Sequence, residues 1–471
     1  MSSPPRAALD RALAELARAI GDSAIDTDEA TRHALARDES DAEPTMPDAV
    51  VHVRSTEQLA RAMAVAHRHA IPVTPRGGGT GRAGGAVPRA GGWLLALDGW
   101  RDIDEVHRND AVVVTRPGVV LGDLHSAVEA EGLFYPPDPN SWASCTIGGN
   151  LATDAGGPRA FKYGVTSHYA LGLEVVLADG TRLEVGRRTK KGVTGYDLTR
   201  LIVGSEGTLA VITRATLHLV PQPEAVRTLV CFVDDEDEVA QVVTACLEQR
   251  VVPRCVELLD RHALEVAMEE GAVAPPPGTR AMLLVELDGD ESALDGQVER
   301  LGSAWLELGA LDVLVAKHDA DRERLWSVRR ELSRLFRRRA AHKLSEDVVV
   351  PRSQIGALLA AARAIAERTQ IRMPTYGHAG DGNLHVNFLW DHADERPRVD
   401  QAIDALLRAT LALGGTLTGE HGIGAVKRDH LPLEQSEALI ELQRGIKDRL
   451  DPRGILNPHK IFPDRTGHGP C

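Results

Sequence analysis

Three glycine-rich stretches constrain the fold of this chain more than any other feature of its sequence. They occupy residues 75–85, 146–157 and 203–212, and the first directly follows the apolar stretch 71–74, which predicts a strand. Because glycine has no Cβ, successive glycines allow backbone N–H groups to approach one anion closely. The first stretch has neither the Gly-Lys-Ser/Thr of a Walker loop nor the long helix that follows G-x-G-x-x-G. A single stretch of this kind is equally well a flexible connection. Three of them, set among alternating strands and helices, predict the cradle of a large, elongated cofactor.

Length and composition narrow the class of protein. A chain of 471 residues is too long for one core and predicts two or three domains. Its 54 basic and 68 acidic residues give a net charge of −14, which argues against nucleic-acid binding. The sequence has no apolar run of membrane-spanning length, and an Ala/Leu/Arg-rich helix at residues 6–20 stands where a signal peptide would have its apolar core. Five cysteines without C-x-x-C predict reduced thiols, a cytoplasmic protein and no iron–sulfur cluster of its own, with peripheral attachment to a membrane left open.

Two histidines and a Glu-His pair form the candidate catalytic group. His378 and His385 flank Gly-Asp-Gly-Asn, a turn sequence between two β-favouring stretches, which predicts a strand, a turn and a strand. Glu420 and His421 lie in a second glycine-rich loop. Two imidazoles and one carboxylate leave a coordination position open on a divalent metal, which is typical of a catalytic site. A pair of turn histidines bonded to backbone is the alternative.

The sequence beyond residue 222 predicts a second domain. Strands and helices alternate there in a pattern typical of an α/β cap with an antiparallel sheet. Residues 321–339 predict an amphipathic helix with eight arginines, either a solvated basic face or a helix that offers one arginine to a carboxylate and a positive rim to anions. We expect four segments: an N-terminal helical segment at 1–45, a cofactor domain at 46–222, a cap at 223–425 and a C-terminal segment at 426–471 that returns to the cofactor domain.

The glycine-rich stretches carry a family resemblance. Arg76-Gly-Gly-Gly-Thr-Gly, Thr146-Ile-Gly-Gly-Asn and Gly204-Ser-Glu-Gly-Thr-Leu-Ala resemble, over about residues 46–222, the FAD-binding domain of the vanillyl-alcohol oxidase/p-cresol methylhydroxylase flavoproteins. The resemblance implies an α+β fold with a two-subdomain FAD-binding domain plus the cap. Thr80 and Gly81 stand where some members have a tethering histidine, which implies FAD held without a covalent bond. The implied FAD-binding residues are Pro75, Arg76, Gly77, Gly78, Gly79, Thr80, Gly81, Pro137, Asp138, Thr146, Gly148, Gly149, Asn150, Ala155, Gly156, Gly164, Glu206, Gly207, Ile212 and Asn457.

The second half of the chain extends the resemblance. Its motifs are Trp326-x-x-Arg329, Ser345-Glu-Asp-Val-Val-Val-Pro, His378 to Asn387, Gly419-Glu-His-Gly-Ile-Gly and Asp451-Pro-x-Gly-Ile-Leu-Asn457-Pro. They resemble the FAD-linked 2-hydroxy-acid dehydrogenases, a group that includes D-lactate dehydrogenases, the glycolate oxidase catalytic subunit and D-2-hydroxyglutarate dehydrogenases. The resemblance implies oxidation of a D-2-hydroxy acid to the 2-oxo acid.

The same resemblance implies roles for individual residues. His378, His385 and Glu420 would hold the metal, commonly Zn²⁺, and His421 would be the general base and a substrate contact. Arg329 would clamp the substrate carboxylate, and Asn387 would contact the substrate. Ser333 stands where some members have threonine. Lys343, also a candidate for substrate binding, is offset from the lysine of the hydroxyglutarate-oxidising members, so the specificity for a second carboxylate stays open.

The expected partners follow from this reading. Besides a small 2-hydroxy acid, the protein would need a separate electron acceptor, namely an electron-transfer flavoprotein, a quinone or an iron–sulfur subunit; a homodimer is left open. One alternative is a non-catalytic flavin-binding or electron-transfer subunit of a larger oxidase complex, against which the two histidines and Glu-His argue. The other is a flavin oxidase that uses molecular oxygen, which peroxide formation would reveal.

Overall fold

The computed structural model describes residues 6–464. The chain divides into two compact units. The first unit comprises the chain up to Ala155, Val165–Gln222 and the chain from Glu420 onward; the second comprises Gly156–Gly164 and Pro223–Gly419. Within the described residues, no helix has both the length and the apolar character needed to cross a membrane.

The N-terminal half of the chain builds most of the first unit. Its elements are α1 (Arg6–Ile20), β1 (Ile25–Asp26), α2 (Glu29–Ala34), β2 (Ala49–His52), α3 (Thr56–His69), β3 (Val73–Arg76), β4 (Trp93–Ala96), β5 (Ile103–His107), β6 (Val112–Thr115), α4 (Leu121–Glu129), β7 (Leu133–Phe134), α5 (Ile147–Thr153), α6 (Ala160–Tyr163, in the second unit), β8 (Ala170–Val176), β9 (Arg182–Gly186), α7 (Leu198–Ile202), β10 (Val211–His218) and β11 (Val220–Pro221).

Two sheets organise the first unit. One has the order β1-β2-β4-β3, with β2 and β3 both parallel to β4, and the other is antiparallel with the order β5-β6-β10-β8-β9. Helix α3 begins at the sequence Ser55-x-x-Gln58, where the Ser55 hydroxyl accepts the N–H of Gln58 and the Gln58 side chain accepts the N–H of Arg54. The apolar sides of α1 and α3 close the core of the first sheet around Trp93 and Met63.

The second unit contains the elements that follow β11. They are β12 (Ala225–Val233), α8 (Val239–Glu248), β13 (Cys255–Leu259), α9 (Arg261–Glu269), β14 (Ala281–Gly289), α10 (Glu291–Glu307), β15 (Asp312–Val315), α11 (Asp319–Arg337), β16 (His342–Val349), α12 (Ile355–Thr369), β17 (Thr375–His378), β18 (Asn383–Trp390) and α13 (Arg396–Ala412). Two further helices, α14 (Leu431–Glu434) and α15 (Glu437–Leu450), belong to the first unit.

One seven-stranded antiparallel sheet forms the centre of the second unit. Its order is β15-β12-β14-β13-β17-β18-β16, and every pair of neighbours is antiparallel. Alternate residues of each strand point to opposite faces. One face buries a large apolar core that includes Trp305 and Phe388. The other face carries Glu286, Glu257, His378 and His385, because cross-strand partners share a face. Chemistry-bearing side chains therefore collect on a single face of the sheet.

The α+β architecture and the antiparallel cap sheet agree with the sequence prediction, whereas several local elements differ. The residues of α9 carry no predicted element, and β3 lies two residues later than the predicted strand at 71–74 because its N–H groups pair with β4 and with Ile455. The second glycine-rich stretch contains the short helix α5, whose N-cap hydroxyl on Thr146 accepts the N–H of Gly149.

Candidate active site

The two predicted histidines lie on one tight hairpin. Strands β17 and β18 pair so that His378 faces Asn383 and Tyr376 faces His385. Gly382 in the turn has φ +81°, and a Cβ there would overlap the carbonyl oxygen of Val350, so only glycine fits. The two imidazole rings are buried, with centroids 5.3 Å apart and planes at 83°. The hairpin therefore brings both rings to one point on the polar face of the sheet.

His378 is held by the carboxylate of Glu257, a residue that no sequence motif indicated. Glu257 faces His378 across β13 and β17, and its Oε1 lies 2.6 Å from Nδ1 of His378. A carboxylate only accepts hydrogen bonds, so Nδ1 carries the proton and Nε2 is the ring nitrogen that a metal would take. The other oxygen of Glu257 contacts Nη2 of Arg329. Burial raises the pKa of Glu257, but the charges of Arg329 and His378 outweigh it and hold that pKa below its usual value.

Glu420 completes the predicted ligand set. It follows Gly419, whose N–H donates to Oδ2 of Asp347 at 2.9 Å, and the hydroxyl of Thr418 donates to the same carboxylate. One ligand atom from each of His378, His385 and Glu420 lies within 4.8 Å of the others. Two neutral imidazoles and one carboxylate are donors that suit Zn²⁺ and leave a coordination position open. The residues present therefore fit a catalytic divalent metal.

The predicted substrate-binding residues of the second unit lie on α11 and on the polar face of the sheet. Arg329 is 5% exposed, with its guanidinium 4.7 Å from the centroid of the Tyr376 ring. Lys343 is also buried and donates to the hydroxyl of Ser333 at 3.2 Å. The side-chain N–H groups of Asn387 donate to the carbonyls of Pro374 and His385, and its Oδ1 is buried with no hydrogen-bond partner among the residues that the structure describes.

The arginines of α11 divide into two groups. Arg329 and Arg322 point to the sheet, where they contact Glu257 and Glu286. On the outer side, acidic residues offset several of the charges: the pairs are Arg324 with Asp321, Arg330 with Glu323 and Arg334 with Glu331. The interpretation as a solvated face therefore applies to the outer side of the helix, where these acidic partners offset part of the positive charge. The interpretation that one arginine binds a substrate carboxylate stays a prediction.

His421 belongs to a loop held by Glu206. The His421 side chain is 13% exposed and its Nε2 lies 3.9 Å from an oxygen of Glu420. Two residues later, the N–H of Ile423 donates to Oε1 of Glu206 at 2.9 Å. Burial raises the pKa of Glu206 to about 7, although the N–H groups of Ile423 and Gly424 oppose the shift. The Glu206 side chain thus fixes the loop that carries the proposed base.

The predicted cofactor loops meet within the first unit. A Cβ on Gly77 would overlap the hydroxyl of Thr146, and a Cβ on Gly78 would lie 2.5 Å from the carbonyl oxygen of Ser144, so the first loop packs closely against the start of the second. The hydroxyl of Thr146 accepts the N–H of Gly78. Such a glycine-lined cradle suits a phosphate-bearing cofactor that must approach the main chain closely. The residues present therefore fit the pyrophosphate of FAD.

The C-terminal segment joins the loops. Asn457, in a left-handed conformation with φ +45°, donates through Nδ2 to the carbonyls of Gly85 and Glu206. The buried ammonium of Lys460 donates to the carbonyls of Gly84 and Val87. Burial lowers the pKa of Lys460 to about 7. Residues that follow the cap in sequence thus brace the first and third glycine loops.

The remaining predicted cofactor residues have different positions. Gly156 and Gly164 lie in the second unit, in a stretch whose Lys162 and Tyr163 bind Asp288. The carbonyl of Pro137 contacts Nε2 of His125. Pro137 and the other remaining residues lie in the first unit; the others are Pro75, Arg76, Gly79, Thr80, Gly81, Asp138, Gly148, Gly149, Asn150, Ala155, Gly207 and Ile212. No sequence motif indicated Glu257, and Asp347 stood out only as part of the motif Ser345-Glu-Asp-Val-Val-Val-Pro. The available signal was a charged residue in the middle of an apolar strand.

Two family models match the two halves of the chain. Residues 47–186 match the family described as "FAD binding domain", and residues 222–461 match "FAD linked oxidases, C-terminal domain". The chain is 38% identical to "Glycolate oxidase subunit GlcD" of Bacillus subtilis over 450 residues, covering 95% of this chain and 96% of that protein. It is 34% identical to "Probable D-lactate dehydrogenase, mitochondrial" of Danio rerio, covering 98% of this chain and 93% of that protein.

A solved structure shows the fold. The p-cresol methylhydroxylase structure has a TM-score of 0.82 to this chain at 16% identity, covering 99% of both chains. This likeness and the FAD-binding match confirm the predicted p-cresol methylhydroxylase-type fold with its cap. Because the C-terminal-domain match spans more than half of the chain and the relatives align over nearly all of it, this protein belongs to the FAD-linked oxidase family.

Proposed function

We propose that this protein is an FAD-dependent, metal-assisted dehydrogenase that oxidises a D-2-hydroxy acid of the D-lactate, glycolate or D-2-hydroxyglutarate type to the 2-oxo acid. The observation that carries the proposal is the convergence of ligand atoms from His378, His385 and Glu420 within 4.8 Å, with Nδ1 of His378 already bonded to a carboxylate. The relatives named glycolate oxidase subunit and D-lactate dehydrogenase support the substrate class.

The cofactors have defined parts in this proposal. The glycine loops and Asn457 would hold FAD without a covalent bond, and the flavin would supply the acceptor for the hydride from the carbon that bears the hydroxyl. His378, His385 and Glu420 would hold a divalent metal, Zn²⁺ in our proposal, which would supply a Lewis acid that lowers the pKa of the substrate hydroxyl. Acid precipitation of the protein should release the flavin into the supernatant, and colour retained in the pellet would contradict non-covalent binding.

The side chains of the chain perform the remaining tasks. His421 accepts the hydroxyl proton, a role that suits an imidazole near neutral pH. Arg329 binds the substrate carboxylate through N–H groups other than the one that contacts Glu257. In this proposal Oδ1 of Asn387, which is buried and without a hydrogen-bond partner among the described residues, accepts a hydrogen bond from the substrate. In this proposal Lys343 and Ser333, which are hydrogen-bonded to each other, contact the substrate.

The test is a panel of D- and L-2-hydroxy acids assayed with an artificial electron acceptor, before and after removal of metal by a chelator. We expect turnover of one or more D-acids, its loss with the metal and its return when Zn²⁺ is added. Oxidation that persists in verified metal-free protein would contradict the metal-assisted mechanism. Reoxidation of the reduced flavin by air, with one peroxide per turnover and no other acceptor, would favour the oxygen-using oxidase instead.

A further inference from the structure

Glu257 lies between two functional side chains and contacts both. Its Oε1 is 2.6 Å from Nδ1 of His378, and its Oε2 contacts Nη2 of Arg329. The side chain of Glu257 is fully buried. Each of its two oxygens therefore has one partner, and the two partners come from different elements, β17 and α11.

The sheet register fixes this position. Glu257 faces His378 in the antiparallel pair of β13 and β17, and the side chains of such a pair share a face. Arg329 reaches the same face from α11, where its guanidinium also covers the ring of Tyr376. The carboxylate is thus placed by a β-ladder, which resists displacement more than a loop does.

A buried carboxylate in the middle of an apolar strand carries a desolvation cost and needs compensation. Cys255 and Leu259, its neighbours on the same face of β13, belong to an apolar cluster. The desolvation cost of the Glu257 carboxylate is compensated by one cation and one imidazole N–H, so the loss of either partner would leave the buried charge less stabilised. An apolar residue could fill this position without the desolvation cost, which indicates that Glu257 has a role beyond packing.

We propose that Glu257 is the positioning residue that couples the metal site to the substrate clamp: one carboxylate orients His378 as a metal ligand and Arg329 as a carboxylate-binding residue. This inference rests on the proposed function. By accepting the Nδ1 proton, Glu257 directs Nε2 of His378 toward the metal and increases the basicity of the ring. By pairing with one edge of the guanidinium, it fixes the direction of the remaining N–H groups of Arg329.

The test compares Zn²⁺ affinity, measured by competition with a chromogenic chelator on the FAD-loaded protein, in the wild type, Glu257→Gln and Glu286→Gln. Glu286 is a matched control, because it is a buried carboxylate on the same face of the sheet that binds Trp326 and Arg322 of α11 but no proposed ligand. We expect the Glu257→Gln change to weaken Zn²⁺ binding by about 10–100-fold, the usual effect of losing such a partner. The Glu286→Gln change should leave Zn²⁺ binding near that of the wild type.

Steady-state kinetics at saturating Zn²⁺ give a second measurement. Glu257→Gln should raise KM through the loosened Arg329 and lower kcat through the misplaced metal ligand. Glu257→Asp keeps the charge but is too short to reach both partners, so it should recover part of the metal affinity. If Glu257→Gln protein does not retain FAD on purification, Glu257→Asp serves for the same comparison.

The outcomes separate the inference from the proposed function. Wild-type Zn²⁺ affinity in both Glu257 variants would overturn the inference and leave the metal site standing. An equal loss in Glu286→Gln would also overturn it, because burial of any carboxylate on that face would then matter equally. A wild-type protein that binds no Zn²⁺ would overturn the proposed function, and the inference with it.

Discussion

The carboxylate of Asp347 binds the N–H of Gly419 at 2.9 Å and so holds the peptide that leads into Glu420. Asp347 is fully buried and faces His385 across β16 and β18. The Asp347 side chain therefore lies beside the proposed ligand His385 on the sheet and holds the backbone that precedes the proposed ligand Glu420. With Glu257 behind His378, buried carboxylates support the ligand set from two strands.

Loss of the Asp347 carboxylate should destabilise the protein and weaken metal binding. Asp347→Ala removes the acceptor of the Thr418 hydroxyl and one of the two acceptors of the Gly419 N–H, whose other acceptor is the backbone carbonyl of Asp347. We expect a cost of about 0.5–1.5 kcal/mol for each hydrogen bond lost. Thr418→Val removes only the hydroxyl and should cost less. Urea unfolding and chelator competition measure the two effects, and an Asp347→Ala protein with wild-type values in both would rule out this role.

Removal of a proposed ligand should separate metal from flavin. We expect His385→Ala to lose Zn²⁺ and turnover and to retain FAD, because His385 lies on the cap sheet whereas the glycine loops belong to the other unit. His262→Ala is the control, since that side chain is 66% exposed on α9. Metal analysis and the flavin absorption spectrum report the outcome. Full activity of His385→Ala after chelator treatment would show that the ligand assignment is wrong.

Loss of His421 should affect the proton transfer rather than the binding of substrate. General-base catalysis contributes about 10²–10⁴-fold to a rate. His421→Ala should lower the rate constant of flavin reduction by a factor in that range and leave the substrate concentration for half-saturation almost unchanged. Single-turnover stopped-flow measurements of flavin absorbance separate the two quantities. A large change in substrate affinity with an unchanged rate constant would exclude His421 as the base.

Loss of Arg329 should weaken the binding of substrate more than it slows flavin reduction. Its replacement by alanine should weaken substrate binding by about 1.5–3 kcal/mol, the range for hydrogen bonds to charged groups. The change also leaves Glu257 as a buried charge without its cation, so we expect a fall in thermal stability. Arg329→Lys should recover the charge but only part of the binding, since lysine has no forked donor pair. Normal substrate binding in Arg329→Ala would transfer the clamp to another cation, with Lys343 the first to test.

Stability should rise with pH on the alkaline side because of Lys460. Its pKa is lowered from 10.5 to about 7 by burial, so between these values the unfolded chain binds more protons than the folded one. The contribution of Lys460 to the free energy of unfolding therefore increases from pH 7 to pH 10.5, by at most about 1.4 kcal/mol per pH unit. Urea unfolding measured at several pH values in this range should show that the free energy of unfolding of Lys460→Met rises less steeply with pH than that of the wild type. The exposed Lys190→Met serves as the control, and equal slopes in wild type and Lys460→Met would contradict the prediction.

The sequence alone determined features that depend on neighbours along the chain. The capping box at Ser55, the hairpin between His378 and His385 and the glycine loops follow from local backbone preferences, and the structure contains each of them. The resemblance of the glycine-rich motifs to a known family implied the p-cresol methylhydroxylase-type fold, and the comparisons confirm it. The ligand roles and the substrate contacts remain predictions.

Only the tertiary structure decided which distant side chains support the site. Glu257 and His378 are 121 residues apart, and their contact exists because β13 pairs with β17 in one particular register. A shift of one residue would turn Glu257 to the apolar face, and nothing in either strand's own sequence specifies its partner. Local preference fixes the backbone of a loop or hairpin, whereas the partner of a buried charge depends on how the whole sheet assembles. The sequence therefore named the candidate ligands, and the packing of the sheet supplied Glu257, the carboxylate that orients one of them.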